Sequence, residues 1–239
     1  MDETGLELDA PLPLTTHLTQ LRKCLIICST AVSLLSIVVF YHVDPILRKI
    51  AEPVGKLYFM SPAEAFTSKI KFSIYAGAFA AAPVVLFQFW SFVRRGMLPL
   101  ERKTSVVVTG ASMLLFYCGC AFCYFLVLPA GIKFLISCGS DVLVPFISVT
   151  RYLSFVWGMV FSFGIIFELP LAMWLLAKVG LLSSSALGKN RRYAIVAAFI
   201  AAALLSPIPD AFNQTLMAVP LLVLYEIGIA AARIAERRQ

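Results

Sequence analysis

Residues 153–176, LSFVWGMVFSFGIIFELPLAMWLL, form an apolar run broken by one ionisable side chain, Glu168. A helix needs about 20 mainly apolar residues to cross a hydrocarbon core of about 30 Å, because in lipid its backbone must satisfy its own hydrogen bonds. This run meets that test, and so do residues 24–41, 72–92 and 106–128. Two further runs are shorter: residues 193–205 would extend about 20 Å and residues 216–232 about 25 Å at a rise of about 1.5 Å per residue. Between them Ser206-Pro207-Ile208-Pro209-Asp210 carries two prolines and a charge, which predicts a short hairpin rather than one continuous helix.

The composition agrees with a membrane protein. Of 239 residues, 60% are hydrophobic and 14% charged, with a mean hydropathy of +0.89, too apolar for an ordinary soluble domain. No polar stretch is long enough to build a separate core. The expected fold is all-α, with six membrane helices of which the last two are short. Residues 1–23 are expected to precede the membrane domain, residues 24–232 to form it, and residues 233–239 to make a tail. Met1 to Ala10 carries Asp2, Glu3, Glu7 and Asp9, the opposite of the basic start of a cleavable secretory signal.

Orientation follows from Lys and Arg on alternate sides. Thirteen of the twenty fall at the two termini and in the second and fourth loops: Arg22, Lys23, Arg94, Arg95, Arg102, Lys103, Lys178, Lys189, Arg191, Arg192, Arg233, Arg237 and Arg238. Both ends are therefore expected in the cytoplasm, with residues 46–51 forming a short helix near the outer surface. The net charge of +7 suits contact with anionic headgroups of the lipid bilayer and does not argue for nucleic acid. Cys24, Cys28, Cys118, Cys120 and Cys123 lie inside apolar segments, and with His17 and His42 as the only histidines no metal site is expected.

Glu168 is the residue that most invites a function. An acidic side chain at mid-helix costs about 2.5 to 3.5 kcal/mol on insertion scales, so it should face protein, water or a partner. It reads as a buried polar site, set against the plainer reading of a hydrogen bond to a neighbouring helix. Glu226 lies near the basic C-terminus and reads as structural, snorkelling or pairing locally. Asp210 and Gln214 sit at the turn of the short hairpin, where helix capping explains them at least as well as ligand binding. The second loop concentrates Arg94, Arg95, Glu101, Arg102 and Lys103 behind Trp90 and Phe92. It is either an ordinary basic loop with an internal ion pair, or one in which Glu101 accepts a guanidinium through two parallel hydrogen bonds.

Catalysis is poorly supported. Gly110-Ala111-Ser112 is similar to the serine motif of intramembrane proteases, but no histidine lies within a span to activate the hydroxyl. Neither an H-E-x-x-H pattern nor a phosphate-binding glycine loop occurs, so neither an enzyme nor a cofactor is expected. A proton-coupled solute transporter built on Glu168 is the alternative; the sequence shows neither the repeats nor the broken helices common in transporters.

Several separated stretches occur in a telling order: His17-Leu18 with Leu21-Arg22-Lys23; Pro83 and Phe92; Glu101-Arg102; Phe116-Tyr117 with Phe122, Tyr124, Phe125 and Pro129; Tyr152-Leu153-Ser154-Phe155; Phe163-Gly164; Phe167-Glu168-Leu169-Pro170; and Pro209-Asp210 with Gln214-Thr215, Ala218, Pro220 and Tyr225-Glu226-Ile227-Gly228. Together they resemble TatC, the multispanning subunit of the twin-arginine, or Sec-independent, protein translocase. The resemblance implies a six-helix cup in the bacterial inner membrane, acting in an oligomeric complex with the single-span subunits TatB and TatA. It further implies recognition of twin-arginine signal peptides of folded precursors and transport driven by the proton-motive force. By resemblance Glu101 accepts a signal arginine, Phe92, Arg102, Gln20 and Arg22 shape that site, Glu168 faces the cup, and Tyr124, Asp210, Gln214 and Glu226 serve structure or partners. Two departures stand out: Gln20 occupies a position where the family usually has glutamate, and Ile208 separates two prolines that the family often places together.

Overall fold

The computed structural model describes residues 14–96, 102–137, 139, 146–206 and 210–237, and these are helical almost throughout. In chain order the helices are α1 (Leu14–Tyr41), α2 (Val43–Ala51), α3 (Pro62–Gly96), α4 (Arg102–Phe122), α5 (Leu128–Ser137), α6 (Val149–Ile166), α7 (Leu169–Lys178), α8 (Ser184–Lys189), α9 (Arg191–Leu205) and α10 (Ala211–Glu236). A π-helical turn, Cys123–Val127, joins α4 to α5, and a 3-10 turn, Glu52–Val54, follows α2. Among the described residues, five stretches are long and apolar enough to cross a membrane: Leu18–Tyr41, Pro62–Val93, Val106–Ser137, Val149–Lys178 and Ala211–Glu236.

Two expectations need correction. The last helix is not short: α10 has 26 residues and so extends about 39 Å. Counting apolar residues missed its ends, because Asp210 caps the helix ahead of Leu216 and the backbone ladder continues to Glu236. Of the last two helices it is α9, with 15 residues and a length of about 22 Å, that is shorter than a hydrocarbon core. The fourth span, read as unbroken, is interrupted at Phe167–Glu168 between α6 and α7. Pro170 has no N–H to give to the preceding turn, so the ladder cannot run through unchanged.

Small residues set how closely the helices pack. In lipid there is little hydrophobic drive between helices, so close van der Waals fit decides which faces meet. Ser112, Phe116 and Cys120 of α4, and Cys123 at the start of the π-helical turn, are buried at helical spacing. Gly119 stands on the same face; a Cβ there would lie 2.5 Å from the Phe163 carbonyl oxygen and 2.8 Å from the Phe167 ring. Gly164 of α6 returns the arrangement, since its Cβ would meet the Phe116 ring at 2.6 Å. These two approaches fix the antiparallel register of α4 against α6 and α7. In the same way Gly77 of α3 lets the α1 backbone approach at Ser36, where a Cβ would sit 2.6 Å from the Ser36 Cα.

The ends of the rods remote from the Gly96–Arg102 hairpin are tied together by polar contacts. Tyr58 N–H donates to the Ile147 carbonyl at 3.0 Å, and Val149 N–H donates to the Tyr58 carbonyl at 2.9 Å. Glu64 accepts from Met60 N–H at 2.6 Å and from the Ser148 hydroxyl at 2.7 Å. Tyr152 donates to the Ile50 carbonyl at 2.7 Å, and Lys69 pairs with Asp44 at 2.6 Å. The loop after α1 is thereby fastened to the start of α6.

Because the Gly119 neighbour is a backbone oxygen that cannot rotate away, Gly119→Ala should destabilise by about 1 to 3 kcal/mol. Thermal denaturation in detergent should show that loss. Gly164→Ala, facing a side chain that can turn, should cost less.

Candidate functional site

Ser112 stands opposite Glu168 as the direct outcome of the α4–α6 register. Its hydroxyl donates to Glu168 Oε1 at 2.7 Å, and Ser112 is 0% exposed. The second carboxyl oxygen, Oε2, is buried and has no hydrogen-bond partner among the described residues. Glu168 occupies the N-cap position of α7 without making a side-chain capping bond, so the carboxyl group is aimed away from its own helix end. A buried carboxyl with one donor and one open acceptor is held in place yet incompletely satisfied.

The second assembly is the root of the Gly96–Arg102 hairpin. Trp90, Val108 and Leu175 form a buried apolar cluster joining α3, α4 and α7, with Val93, Leu171 and Trp174 packed on it. Alongside, Cys24 of α1 donates through Sγ to the carbonyl of Gln88 at 3.9 Å and to its Oε1 at 3.7 Å. One turn nearer the hairpin, the same antiparallel register sets Gln20 level with Phe92. Gln20 and Phe92 are half-buried, and the Gln20 Oε1 is buried without a partner among the described residues. Arg22 is exposed on the same helix. Arg102 is the first residue of α4, and Glu101 lies outside the described residues.

The remaining residues singled out in the sequence fall into separate local arrangements. Tyr124 lies in the π-helical turn and, with Ile50, Leu128 and Tyr152, lines an apolar recess of about 160 Å³. Asp210 caps α10, accepting from Asn213 N–H at 2.8 Å and from Asn213 Nδ2 at 2.6 Å. Gln214 Nε2 donates to the Phe199 carbonyl of α9 at 2.9 Å. Glu226 pairs with Arg191 at 2.8 Å, so its partner comes from the start of α9 and not from the basic C-terminus. No cluster of metal-binding side chains occurs among the described residues.

Sequence reasoning missed four of these contacts. Ser112 drew notice only as part of a protease-like tripeptide, and its pairing with Glu168 depends on an interhelical register that no local pattern reveals. Asn213, 0% exposed, gave no signal beyond its place three residues after Asp210. Glu64 and the bonds from Glu236 to the Ser184 N–H and hydroxyl, at 2.6 and 2.5 Å, were likewise unseen.

Residues 16–220 match the family model of the Sec-independent protein translocase protein (TatC). The chain belongs to the TatC family. It is 39% identical to the TatC protein of Carboxydothermus hydrogenoformans over 235 residues, covering 97% of each chain. It is 36% identical to TatC of Escherichia coli strain K12 over 228 residues, covering 92% of this chain and 88% of that protein. Its fold is similar to the crystal structure of a twin arginine translocase receptor, TatC, with a TM-score of 0.81 and 37% identity, covering 92% of this chain and 99% of that one. TatC membership makes the chain a multi-pass membrane subunit of the Sec-independent protein translocase, a transport component and not an enzyme. The solute-transporter alternative is thereby set aside.

Removing the Asp210 carboxylate takes away a helix cap and leaves the buried Asn213 amide without its acceptor. Asp210→Ala should cost about 2 to 3 kcal/mol. Asp210→Asn, which keeps an oxygen at the cap, should retain more than half of that stability in detergent denaturation.

Proposed function

We propose that this TatC chain is the receptor of its translocase, binding twin-arginine signal peptides at the cytoplasmic hairpin and organising TatB and TatA around Glu168. Both termini and the Gly96–Arg102 hairpin lie in the cytoplasm, on the side favoured by thirteen of the twenty Lys and Arg residues. The protein resides in the bacterial inner membrane, counts six membrane helices with α9 as the fifth, and works in an oligomeric complex. Folded precursors are exported at the cost of the proton-motive force, without ATP hydrolysis.

The observation that carries this reading is the hairpin itself. Glu101 is the one acid among Arg94, Arg95, Arg102 and Lys103, and the hairpin rises from a fixed apolar root of Trp90, Val108 and Leu175. A carboxylate receives two parallel bonds from one guanidinium, a geometry that lysine cannot reproduce. The surrounding cations repel a basic peptide in general, so that only an arginine matched to the carboxylate gains from the site. By resemblance to the family, Phe92 and Arg102 shape this site together with Gln20 and Arg22 of α1. Gln20 offers a neutral acceptor where the family usually has a charged one, and charge-assisted bonds are about twice as strong. The solved relative is itself described as a twin arginine translocase receptor. Tyr124, Asp210, Gln214 and Glu226 keep the helices in register for the partner subunits.

Crosslinking of a twin-arginine signal peptide to the full complex in membranes tests the reading. Glu101→Ala should abolish the selective crosslink, and Gln20→Glu should tighten peptide binding. Equal crosslinking with and without the Glu101 carboxylate would contradict it.

A further inference from the structure

Ser112 is left unused by the account so far. It is fully buried on the α4 face that carries Phe116 and Gly119, and its hydroxyl is 2.7 Å from Glu168 Oε1. A serine hydroxyl inside a helix ordinarily bonds back to a carbonyl of its own preceding turn. Ser36 and Ser73 do so here, donating to Val32 and Lys69. Ser112 instead reaches across to another helix.

That choice has a consequence for the carboxyl group. Glu168 sits where α6 ends and α7 begins, a point at which its own helix supplies no capping bond to hold it. The Ser112 hydroxyl is therefore the side-chain contact that fixes its orientation. With Oε1 engaged, Oε2 is left buried and open. Next to the pair, Ala111 and Pro170 line an apolar recess of about 290 Å³ together with Leu115, Leu171, Ala231 and Trp174, whose indole N–H is the one side-chain donor of that lining.

We propose that Ser112 is a positioning residue for Glu168: by holding one carboxyl oxygen it fixes the orientation in which the half-buried Glu168 side chain meets a membrane-spanning partner subunit. This rests on the reading above that Glu168 meets TatA or TatB. Ser112 does not touch the partner; it sets how the carboxyl group meets it. Gly119 and Gly164 are part of the same device, because the backbone approach they permit brings the hydroxyl within reach.

A double-mutant cycle on the full chain in nanodiscs tests this, reading affinity for purified TatA and for TatB in wild type, Ser112→Ala, Glu168→Ala and the double variant. The expected result is that Ser112→Ala weakens binding of the partner that uses Glu168 by about fivefold, the equivalent of one ordinary hydrogen bond. In the Glu168→Ala background, Ser112→Ala should have no further effect. Ser112→Thr, which keeps the hydroxyl, should restore binding, and measuring each affinity at a temperature where that variant's own melting profile shows it fully folded separates positioning from folding. If Glu168→Ala weakens binding and Ser112→Ala does not, or if Ser112→Ala costs the same in both backgrounds, the positioning role is overturned and the Glu168 reading survives. If Glu168→Ala leaves both affinities unchanged, the Glu168 reading fails and the inference falls with it.

Discussion

The close approach of α4 to α6 at Gly119 and Gly164 is the constraint on which the rest of the structure depends. Bilayer lipid is as apolar as a leucine side chain, so the helices gain little by hiding apolar surface from it and must gain by fitting one another. Two glycines, each receiving an element of the opposite helix, give that fit a single register. From the register follow the position of Ser112 against Glu168 and the burial of a carboxyl group that would be costly anywhere else in a span. A helix pair able to slide by one turn would leave both groups without a partner.

The two ends of the bundle are built differently, and the difference suits a receptor. Remote from the hairpin, backbone and side-chain hydrogen bonds fasten the loop after α1 to the start of α6, through Tyr58, Glu64, Ser148 and Tyr152. At the hairpin, α3, α4 and α7 converge on the Trp90, Val108 and Leu175 cluster. The last helix is tied to the segments before it by Arg191 with Glu226, by the Tyr225 hydroxyl with the Leu187 carbonyl, and by Glu236 with Ser184. The frame is held at both ends, and the polar pair in its middle keeps one open acceptor, Glu168 Oε2.

Much of this was legible in the sequence, and the failures have physical causes. Apolar length identified the long helices, and the ordered stretches from His17 to Gly228 identified the family. Helix α10 was misjudged because apolar length measures what lipid can cover, whereas a backbone ladder continues wherever a cap such as Asp210 starts it. The break at Phe167–Glu168 was half-visible in Pro170, which sequence reading treated as a local perturbation inside one helix. Glu168 announced itself by its cost in lipid, but its donor did not, since Ser112 lies 56 positions away and only the packed glycines bring the two together.

The most direct measurement of the central claim is disulfide trapping in a chain whose native cysteines have been replaced. With Ser112→Cys and Glu168→Cys introduced together, mild oxidation in native membranes should yield an intramolecular bridge in high proportion, while the pair Ser112→Cys with Ile165→Cys, one turn away at an exposed position, should yield little. Equal bridging of both pairs, or none at positions 112 and 168, would show that α4 and α6 do not hold the register from which the buried site is built.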